Sequence, residues 1–595
     1  MRIITLHCDY IRFKPMKKAL KQTEELSEQM KKGVEVKDCL VVLTAVEQGD
    51  NDSTVKELCE SVKKTASEVK ADKVVLYPYA HLSSNLSAPN TALEYLSEAE
   101  RVLSKDFSVT RAPFGYYKEF ELKCKGHPLS ELSKEFRADG QISASTISPK
   151  LSKDEVYDPK KLLREISRSK LDTSKLKDND HRILGQKLDL FSFNDVAPGM
   201  VFWHNKGLII YNELLEYWRE EHRKAGYEEI KTPQIMDSKL WKISGHWDKY
   251  KENNFTTQYE NRTFLVKPMN CPGGMLVYKS KTRSYKDLPL RVGEIGVVHR
   301  TELSGVLAGL LRVIQFTQDD AHIFCADAQQ AQEEILSIAE LIKMFYNKFG
   351  LEFDHVELST RPEKRIGTDA EWDVSEKLLE DVLKKANIKY KINAGDGAFY
   401  GPKIDFHVKD SLGRTWQVST IQLDSALPER FELEYTDNEG KQRRPFMLHR
   451  VIYGSLERFI GVLLEHLNGA MPLWLSPIQV RVISFTDRNN KAAEKVLASL
   501  KEAIPNLRAD VDLRGTTVND KVRDAELMRI PYIIVIGDKE EQAGTLAVRT
   551  RGDKKPEFGI KKEDFINRVK ENIKTRSKEI QSLFFWLSIL FVLPD

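Results

Sequence analysis

Cysteine is scarce in this sequence, and neither sign of charge dominates it. The 595 residues include 6 cysteines, and no two of them form a C-x-x-C pair. This scarcity argues against a disulfide framework, so we expect a reducing, cytoplasmic setting. Because 92 basic residues are offset by 89 acidic ones, nucleic-acid binding would have to come from local basic patches.

Hydrophobic runs long enough to cross a membrane are missing as well. The longest run, at 583–593, falls well short of the ~20 residues that a membrane helix needs. We expect it to be a terminal helix docked on the body, or a tail foreign to the rest of the chain. The opening segment MRIITLHCDYIRFKP is a short apolar strand followed by charge, which is unlike a signal peptide. We therefore expect no membrane partner.

Pattern and composition divide the chain into several domains, as its length suggests. Residues 1–143 alternate apolar strands with segments of helical periodicity, which predicts a compact α/β domain, and 112–126 has the pattern of a hairpin. Residues 476–575 alternate in the same way, which predicts a small α/β domain with a mainly parallel sheet. The remaining blocks are a charged linker with some helix at 144–190, a central domain at 191–475 and the apolar tail 576–595.

The segment 299–325 holds an unusual concentration of charged residues within strand-like sequence. Arg300 and Glu302 are two positions apart, so on a strand they would share one face. An arginine suits a phosphate group and a glutamate suits the amino group of a base, which together indicate a nucleotide site. An exposed salt bridge on an antiparallel hairpin explains the same pattern equally well.

Five further motifs lie on either side of this segment: 226–250 (GYEEIKTPQIMDSKLWKISGHWDKY), 267–275 (KPMNCPGGM), 393–406 (NAGDGAFYGPKIDF), 414–424 (RTWQVSTIQLD) and 447–463 (MLHRVIYGSLERFIGVL). In this order and spacing, the chain from about Asp180 to Ser577 resembles the catalytic core of threonyl-tRNA synthetases, including the three signature motifs of class II aminoacyl-tRNA synthetases. The resemblance implies an antiparallel sheet flanked by helices at 191–475. It also implies that threonine and ATP form threonyl-adenylate, from which the threonyl group passes to tRNA(Thr).

The resemblance implies a set of residues that contact ATP and its Mg²⁺: Arg300, Glu302, Arg312, Phe316, Lys403 and Arg458. Arg300 is expected at the α-phosphate, Glu302 at the adenine amino group and Phe316 against the adenine ring. Arg312, on the next strand, and Lys403 are expected to add positive charge near the reacting phosphates. Arg458 is expected to bind the γ-phosphate. By itself it would fit a helix surface, but its apolar surroundings would make an idle charge costly.

Cys271, His322 and His449 match the family's ligands for one Zn²⁺ per subunit. Their spacing alone would not predict a metal site, because they are too far apart for a compact zinc finger and a lone buried Cys or His usually serves packing. Three protein ligands leave one position open, where the family binds the amino and hydroxyl groups of threonine and so rejects valine. The resemblance also implies a threonine pocket of Gln318, Asp320, Tyr400 and Gln422. Gly274 departs from the family pattern N-C-P-G-H.

Zinc does not reject serine, because the missing methyl group is worth only ~1–3 kcal/mol. Residues 1–143 resemble the archaeal editing domain, which is related to D-aminoacyl-tRNA deacylases, through the segments 77–86 and 114–132. The residues implied to form its pocket are Ala80, His81, Tyr116, Tyr117, Lys118 and Glu131. In that family, backbone groups and the 2′-hydroxyl of the tRNA position the water that hydrolyses Ser-tRNA, and Lys118 would stabilise charge. The alternative is that His81 is a core histidine and Lys118 a surface charge.

Residues 476–575 resemble the anticodon-binding domain shared by several class II synthetases. Arg549 and Arg551 are the candidates for contacts with unpaired anticodon bases, and Asn519 and Lys521 are weaker ones. Exposed charge on a sheet edge that prevents aggregation is the alternative. The resemblance also implies a homodimer, formed through the region near Pro233.

Two rival functions remain at this stage. Prolyl- and glycyl-tRNA synthetases share the three motifs, but they are not expected to hold the three zinc ligands together with Asp320. A regulatory or RNA-binding paralogue without catalysis is a different class of explanation. The retention of Arg300, Glu302, Arg312 and Arg458 argues against it, because such a protein has no need of ATP contacts.

Overall fold

The computed structural model describes residues 1–20, 24, 26–83, 85–127, 130–136, 158–166, 176–247, 254–302, 304–410, 413–424 and 426–580. The apolar run predicted at 583–593 lies outside this range, as does much of the predicted linker. The chain divides into two compact units, Met1–Ile147 and Ser148–Asp595. Among the described residues, every helix is too short or too polar to cross a membrane.

The first unit is a mixed sheet with helices. Its strands are β1 (Arg2–Lys18), β2 (Val34–Ala45), β3 (Lys73–Pro78), β4 (Ser108–Arg111), β5 (Tyr116–Cys124) and β6 (Glu131–Glu135). Its helices are α1 (Glu28–Lys32), α2 (Asp52–Val69) and α3 (Pro89–Leu103). The strand order is β4-β3-β2-β1-β5, and β6 also pairs with β1. Buried Val55, Leu58 and Val62, at helical spacing on α2, pack in the core with strand residues such as Val42 and Leu76.

The long strand β1 organises one side of this sheet. Its start pairs with β6, where Arg2 lies opposite Glu135, and its second half pairs with β5, where Phe13 lies opposite Phe120. The hairpin predicted at 112–126 is therefore wrong, since that segment contributes β5 as a single strand. A periodic pattern shows that a segment is a strand, but it does not show which strand lies beside it.

The second unit, up to residue 466, contains the helices and strands of the main sheet and the shorter elements that precede it. The helices are α4 (Pro159–Ile166), α5 (His181–Lys187), α6 (Asn205–Lys224), α7 (Ser238–Ser244), α8 (Cys271–Lys279), α9 (Ala328–Phe349), α10 (Asp369–Lys385), α11 (Ala426–Arg430) and α12 (Leu456–His466). The strands are β7 (Phe191–Ser192), β8 (Phe202–Trp203), β9 (Glu228–Glu229), β10 (Ile235–Asp237), β11 (Thr256–Tyr259), β12 (Arg262–Val266), β13 (Leu290–His299), β14 (Gln315–Cys325), β15 (His355–Ser359), β16 (Lys391–Asn393), β17 (Lys403–Lys409), β18 (Thr415–Asp424), β19 (Tyr435–Thr436), β20 (Gln442–Arg443) and β21 (Phe446–Ser455).

An eight-stranded sheet of order β16-β15-β17-β18-β21-β14-β13-β9 forms the centre of this unit. Its central pairs are antiparallel, and the pairs β13–β9 and β15–β16 at its edges are parallel. Helix α9 buries Ile335, Ile338, Ile342 and Phe345, one apolar stripe at helical spacing, in the core that this sheet shares. The predicted antiparallel sheet flanked by helices is confirmed in the centre of the sheet, with a parallel pair at each edge.

Helix α5 belongs to this core, although the prediction placed residues up to 190 in the linker. Leu184, Leu188 and Leu190 are buried in the same cluster as α9. These few leucines follow directly on a charged stretch, so their packing was not visible in the sequence pattern.

The last part of the chain forms a five-stranded sheet with helices. Its strands are β22 (Val480–Ser484), β23 (Ala509–Asp512), β24 (Tyr532–Ile536), β25 (Thr545–Thr550) and β26 (Glu557–Lys561), and its helices are α13 (Asn490–Ala503), α14 (Val518–Leu527), α15 (Asp538–Ala543) and α16 (Lys562–Thr575). The order is β23-β22-β24-β25-β26, with parallel pairs as far as β24 and antiparallel pairs beyond it. The expected mainly parallel sheet is thus mixed. The short α15 connection cannot provide the longer crossover that a parallel partner requires.

Candidate functional site

The loop between β13 and β14 carries the residues expected to bind ATP. Strand β13 ends at His299 and β14 begins at Gln315, so Arg300, Glu302 and Arg312 lie on the loop. The predictions that Arg300 and Glu302 share a strand face, and that Arg312 lies on the next strand, were wrong. The backbone N–H of Arg300 donates to the carbonyl of Ile314 across the loop base. Its guanidinium then lies 5.2 Å from the ring centre of Phe316, so the two residues are adjacent as expected.

Glu302 and Arg312 pair with each other across this loop. Arg312 donates to Glu302 Oε2 at 2.9 Å, and the arginine is 47% exposed. An exposed salt bridge is therefore present, but it joins Glu302 to Arg312 within the loop and is not the cross-strand pair on a hairpin that the alternative expected. An exposed pair of this kind contributes ~0–1 kcal/mol, so it does not prevent either residue from binding a ligand.

Arg458 adds a third positive charge beside Arg300 and Arg312. It lies in the first turn of α12, whose start is capped by the side chain of Ser455. Its guanidinium donates to the carbonyls of Leu311 at 2.9 Å and Gln417 at 3.0 Å. Burial, and then Arg312 and Arg300, lower the pKa of Arg458. Cations that repel one another in a partly buried position are suited to a polyphosphate.

Lys403 lies on the same sheet, on β17. Its ammonium group is 2.8 Å from Asp405 and 3.0 Å from Asp396. Burial by itself would lower the pKa of Lys403, but Asp405 and Asp396 raise it, so the lysine stays charged.

Cys271, His322 and His449 converge although they are distant in sequence. Cys271 begins α8, while His322 and His449 lie opposite each other on β14 and β21. All three are buried, and their possible ligand atoms lie within 4.8 Å of one another. The two imidazole rings are 5.0 Å apart and nearly perpendicular.

The protonation of these residues suits a metal ion. Both ring nitrogens of His322 are buried without a hydrogen-bond partner, and burial holds its pKa well below the usual range, so the ring is neutral. His449 Nε2 is 2.7 Å from Asp424 Oδ2, which leaves Nδ1 as its ligand atom. Burial, with Asp320 and Asp424, raises the pKa of Cys271. A bound cation would stabilise the Cys271 thiolate and so oppose this rise in pKa. Thiolate sulfur and imidazole nitrogen are also ligands that zinc prefers.

The expected threonine pocket adjoins these three residues. Gln318, Asp320 and His322 alternate along β14 and so share one face of the sheet. Asp320 accepts a hydrogen bond from Asn270 Nδ2 at 3.3 Å, and burial raises its pKa. Gln422 lies opposite His449 in register, and the Tyr400 ring is 5.3 Å from that of His449. The structure therefore brings the four expected pocket residues to the same region.

The neighbouring carboxylate Asp319 points to the opposite face of β14. It accepts hydrogen bonds from the indole of Trp218 and from the backbone of Ile452 and Gly454. Burial raises the pKa of Asp319 to about 6, and the charge of Arg450, followed by the backbone donors, opposes that effect. Asp319 thus fastens β14 to the core, while Asp320 faces the site.

Three residues of the site were not predicted. Asp424 orients His449, Asn270 donates to Asp320, and buried His246 packs against the rings of Phe399 and Tyr400. Burial lowers the pKa of His246 to about 3, so this ring is neutral. All three lie inside motifs that the sequence had already singled out, at 226–250, 267–275 and 414–424, and this position was the available signal.

Gly274 has a direct structural consequence. A Cβ atom at this position would lie 3.2 Å from His322 Nδ1, which is a tight contact. The glycine therefore leaves that side of the His322 ring clear, where the usual histidine would place a side chain beside it.

The first unit contains a cavity of about 440 Å³ lined by five of the six residues implied for editing. These are Ala80, His81, Tyr116, Tyr117 and Lys118. His81 is exposed in the short helix Ala80–Leu82 and is therefore not a core histidine. Glu131 does not line this cavity; it lies on β6 and pairs with Leu6 of β1.

Lys118 is half-buried in this cavity and not a surface charge. Its ammonium group donates to the carbonyls of Pro113 at 3.0 Å and Tyr116 at 3.2 Å, and lies 5.1 Å from the ring centre of Tyr77. Burial lowers the pKa of Lys118 to about 8, against the opposing effect of Glu24. A lysine in this state changes charge near physiological pH.

The candidate anticodon residues differ in their accessibility. Arg551 donates to the carbonyls of Arg529, Ala470 and Met471, and burial lowers its pKa to about 10. Lys521 is buried and donates to Ser484. Both side chains are therefore structural in this fold.

Arg549 is the more accessible of the two arginine candidates. It pairs with Glu526 at 3.3 Å and keeps 31% of its side chain exposed. Asn519 is exposed on α14.

Comparison with family models gives three matches along the chain. Residues 1–136 match the archaea-specific editing domain of threonyl-tRNA synthetase, and 255–467 match the tRNA synthetase class II core domain (G, H, P, S and T). Residues 479–572 match an anticodon binding domain.

Curated relatives are similar over about two thirds of the chain. The threonine–tRNA ligase of Caldanaerobacter subterraneus subsp. tengcongensis is 53% identical over 403 residues, which cover 67% of this chain and 62% of that protein. The threonine–tRNA ligase of Desulfatibacillum aliphaticivorans is 54% identical over 404 residues, which cover 68% and 63%. The matched region thus spans less than two thirds of these relatives.

Two solved structures resemble the chain over 68% of its length. One is the RNA binding domain of threonyl-tRNA synthetase from Cryptosporidium parvum Iowa II, covered completely, with 39% identity and a TM-score of 0.64. The other is a putative threonyl-tRNA synthetase, ThrRS-1, from Aeropyrum pernix, 98% covered, with 29% identity and a TM-score of 0.59.

Proposed function

The chain belongs to the threonyl-tRNA synthetase family, and on that premise we propose that it is a threonine–tRNA ligase that also hydrolyses mischarged Ser-tRNA(Thr). The observation that carries the ligase proposal is the buried group of Cys271, His322 and His449, on the sheet face that also carries Asp320. The three arginines of the ATP region lie nearby on the same fold. Mg²⁺ would accompany ATP by bridging its phosphates.

The first step joins threonine to ATP. The threonine carboxylate attacks the α-phosphorus, and the bond to the β-phosphate breaks to release pyrophosphate. Arg300 would stabilise charge on the α-phosphate and Arg458 on the γ-phosphate, while Phe316 supports the adenine. Glu302 would exchange Arg312 for the adenine amino group. Positions fixed by backbone contacts, such as that of Arg458 against Leu311, need little reorganisation in this step.

Selection of threonine would depend on Cys271, His322 and His449 holding Zn²⁺. Zinc held there would supply coordination positions beyond the three protein ligands for the amine and the hydroxyl of threonine, and valine has no hydroxyl to offer. Asp320 would hold the substrate amino group, and Gln318, Tyr400 and Gln422 would enclose the side chain.

The second step transfers threonine to the 3′-end of tRNA(Thr). A terminal hydroxyl oxygen attacks the carbonyl carbon of the adenylate, and AMP leaves. The domain that matches anticodon-binding proteins would hold the other end of the tRNA, with Arg549 as the accessible cationic candidate. We expect a homodimer formed near Pro233, acting in the cytoplasm where charged tRNA is used.

Editing would take place in the cavity of the first unit. Water attacks the ester carbonyl of Ser-tRNA, and the bond to the tRNA hydroxyl breaks to release serine. The ammonium group of Lys118 would stabilise the negative charge that develops on the carbonyl oxygen. The half-buried position of Lys118 between two carbonyl groups supports this role.

ATP–pyrophosphate exchange with each amino acid tests the ligase proposal. We expect exchange with threonine, weaker exchange with serine, and none with valine, proline or glycine. His322→Ala should abolish exchange, while His466→Ala, at the exposed end of α12, should leave it unchanged. Absence of exchange with threonine would reject the proposal, and exchange that survives zinc removal would reject the role of zinc alone.

Deacylation of Ser-tRNA tests the editing proposal separately. Lys118→Ala should leave threonine charging intact and allow Ser-tRNA to accumulate. Lys123→Ala is the matched control, because Lys123 is on the same strand but exposed and paired with Asp9. Equal deacylation by wild type and Lys118→Ala would remove Lys118 from the mechanism.

A further inference from the structure

A second group of metal-binding residue types lies on the edge region of the main sheet. His355 and Glu357 lie on β15, and His407 lies directly opposite His355 on β17. Alternate residues of a strand share a face, and so do residues that face each other across a pair, so all three project to one side. They are half-buried, and their possible ligand atoms lie within 4.8 Å of one another.

The distances match those of a coordination shell. His355 Nε2 is 3.2 Å from Glu357 Oε1, and His407 Nε2 is 3.5 Å from Glu357 Oε2. Zinc bonds of ~2.0–2.1 Å to nitrogen or oxygen in a tetrahedron place neighbouring ligand atoms about 3.3 Å apart. The two imidazole rings are stacked at 4.4 Å with an angle of 7° between them and both direct Nε2 toward Glu357, so the rings would have to tilt toward each other for the two nitrogens to meet one ion.

The arrangement also provides an outer partner and an unsatisfied donor atom. His355 Nδ1 is 2.7 Å from Asp354 Oδ2, the contact that orients many metal-binding histidines. His407 Nε2 is buried and has no hydrogen-bond partner. Glu357 accepts a hydrogen bond from Asn393 Nδ2 at 2.9 Å, which helps to fix the carboxylate at the Nε2 edge of both rings.

We propose that His355, Glu357 and His407 bind a second divalent transition metal ion of the zinc class, separate from the ion at Cys271. His407 is four residues beyond Lys403 on β17, or ~13 Å along a strand. Lys403 pairs with Asp405 and Asp396 and does not join the group. The ion would therefore take no part in the reaction and would instead fasten β15 to β17 at the side of the sheet.

Zinc binding by the full-length protein tests this proposal. The protein is dialysed to equilibrium at a series of free Zn²⁺ concentrations fixed by a competing chelator, and bound zinc is counted by mass spectrometry. We expect wild type to hold one more zinc ion per chain than His407→Asn or His355→Asn at low free zinc. Cys271→Ser should lose a different ion, so that the double variant His407→Asn with Cys271→Ser holds neither.

Two further variants separate a built site from general affinity for surface histidine. His204→Asn is the matched control. His204 is also 2.7 Å from a carboxylate, that of Asp189, but among the described residues it belongs to no three-residue group that could hold a metal ion. It should bind zinc as wild type does. His407→Cys replaces one zinc ligand with another and should restore the ion that His407→Asn loses.

Equal zinc content in wild type and His407→Asn at every free zinc concentration would overturn the proposal. So would an equal loss of zinc in His204→Asn and His407→Asn. The affinity for the second ion should fall by at least ~100-fold in His407→Asn, since loss of a mere outer partner already costs ~10–100-fold. This experiment counts bound zinc and does not measure activity. Its result therefore stands whether or not the ligase proposal is correct.

Discussion

Asp424 determines how His449 faces the Cys271 site. It accepts from His449 Nε2 and from the backbone N–H groups of Ala426 and Leu427, and it is fully buried. A carboxylate in this position orients the ring and strengthens the other nitrogen as a ligand. Its influence on a metal ion is therefore indirect but specific.

We predict that Asp424→Asn lowers zinc affinity at this site by ~10–100-fold, the usual effect of losing such a partner. The amide keeps the size of the side chain but loses the charge that holds His449. Zinc release to a competing chelator measures the change. Asp237→Asn, a replacement at the N-cap of α7, should release zinc as wild type does, and an unchanged rate in Asp424→Asn would contradict the prediction.

Lys118 predicts a pH dependence for editing. Burial lowers the pKa of Lys118 to about 8, so the ammonium form dominates below that pH and the neutral amine above it. Because the charged form is the one that stabilises a developing oxyanion, the enzyme-dependent rate of Ser-tRNA hydrolysis should fall as pH rises through about 8. The rate of Lys118→Ala at each pH supplies the background that is subtracted.

Lys118→Arg provides the control for this pH profile. Arginine stays charged throughout the range, so any activity that it retains should not fall near pH 8. A wild-type profile that keeps rising through pH 8 after subtraction would contradict the assignment.

The roles of site residues could be predicted from the sequence where the residues belonged to a recognisable motif. They could be predicted less well where the charge of the side chain was the only evidence. Cys271, His322 and His449 were identified by resemblance, and the fold brings them together. Arg551 and Lys521 were chosen as cations in strand and helix patterns, yet both donate to buried protein carbonyl groups. Sequence gives the charge of a side chain, whereas its partners depend on which backbone carbonyls the fold leaves unpaired.

At the scale of elements, α5 connects the loop between β13 and β14 to α12. His181 accepts from the backbone N–H of Leu310 at its Nε2, so Nδ1 carries the hydrogen and donates to Glu465 at 2.7 Å. Glu465 is near the end of α12, the helix that begins beside Arg458. One buried ring thus connects three segments that are far apart in the sequence.

We predict that His181→Ala destabilises the second unit by about 1–3 kcal/mol, the cost of leaving buried polar groups without partners. The KM for ATP should rise as well, because the loop at Leu310–Arg312 loses an anchor. Thermal unfolding and ATP–pyrophosphate exchange measure the two effects. His466→Ala, at the exposed end of α12, should change the free energy of unfolding by less than ~0.5 kcal/mol.

Periodicity predicted whether a segment is a helix or a strand. It predicted less well which strand lies beside it and at which residue the element ends. The strands and helices of 1–143 were expected, but β5 pairs with β1 at the start of the chain instead of forming a hairpin. Arg300 was assigned to a strand that ends one residue earlier. Both differences arise from contacts between segments remote in sequence, which a local pattern does not contain.

At the scale of the whole molecule, the candidate metal-binding groups found in the described part of the chain all lie in the second unit. Each unit has its own hydrophobic core, with Leu58 buried in the first and Leu463 in the second. We therefore predict separable transitions in scanning calorimetry. A zinc chelator should lower the transition temperature of the second unit and leave that of the first unchanged, because ligand binding stabilises only the unit that binds.

Two variants identify which transition belongs to which unit. Leu58→Ala and Leu463→Ala each remove a buried side chain, at a cost of ~2–5 kcal/mol. The first should shift the transition that the chelator leaves in place, and the second should shift the one that it lowers. A chelator that shifts both transitions equally would contradict the prediction.

The adjacent carboxylates Asp319 and Asp320 have a consequence for how β14 finds its place during folding. A slip of one residue along a strand exchanges its two faces. Here a slip in one direction would move Asp320 into the buried position of Ala321, away from the Trp218, Ile452 and Gly454 donors that hold Asp319. The cost of a misplaced buried charge is large. A slip in the other direction would put Asp320 in the place of Asp319, so the pair makes only one of the two misregistered forms of the strand unstable before any substrate is present.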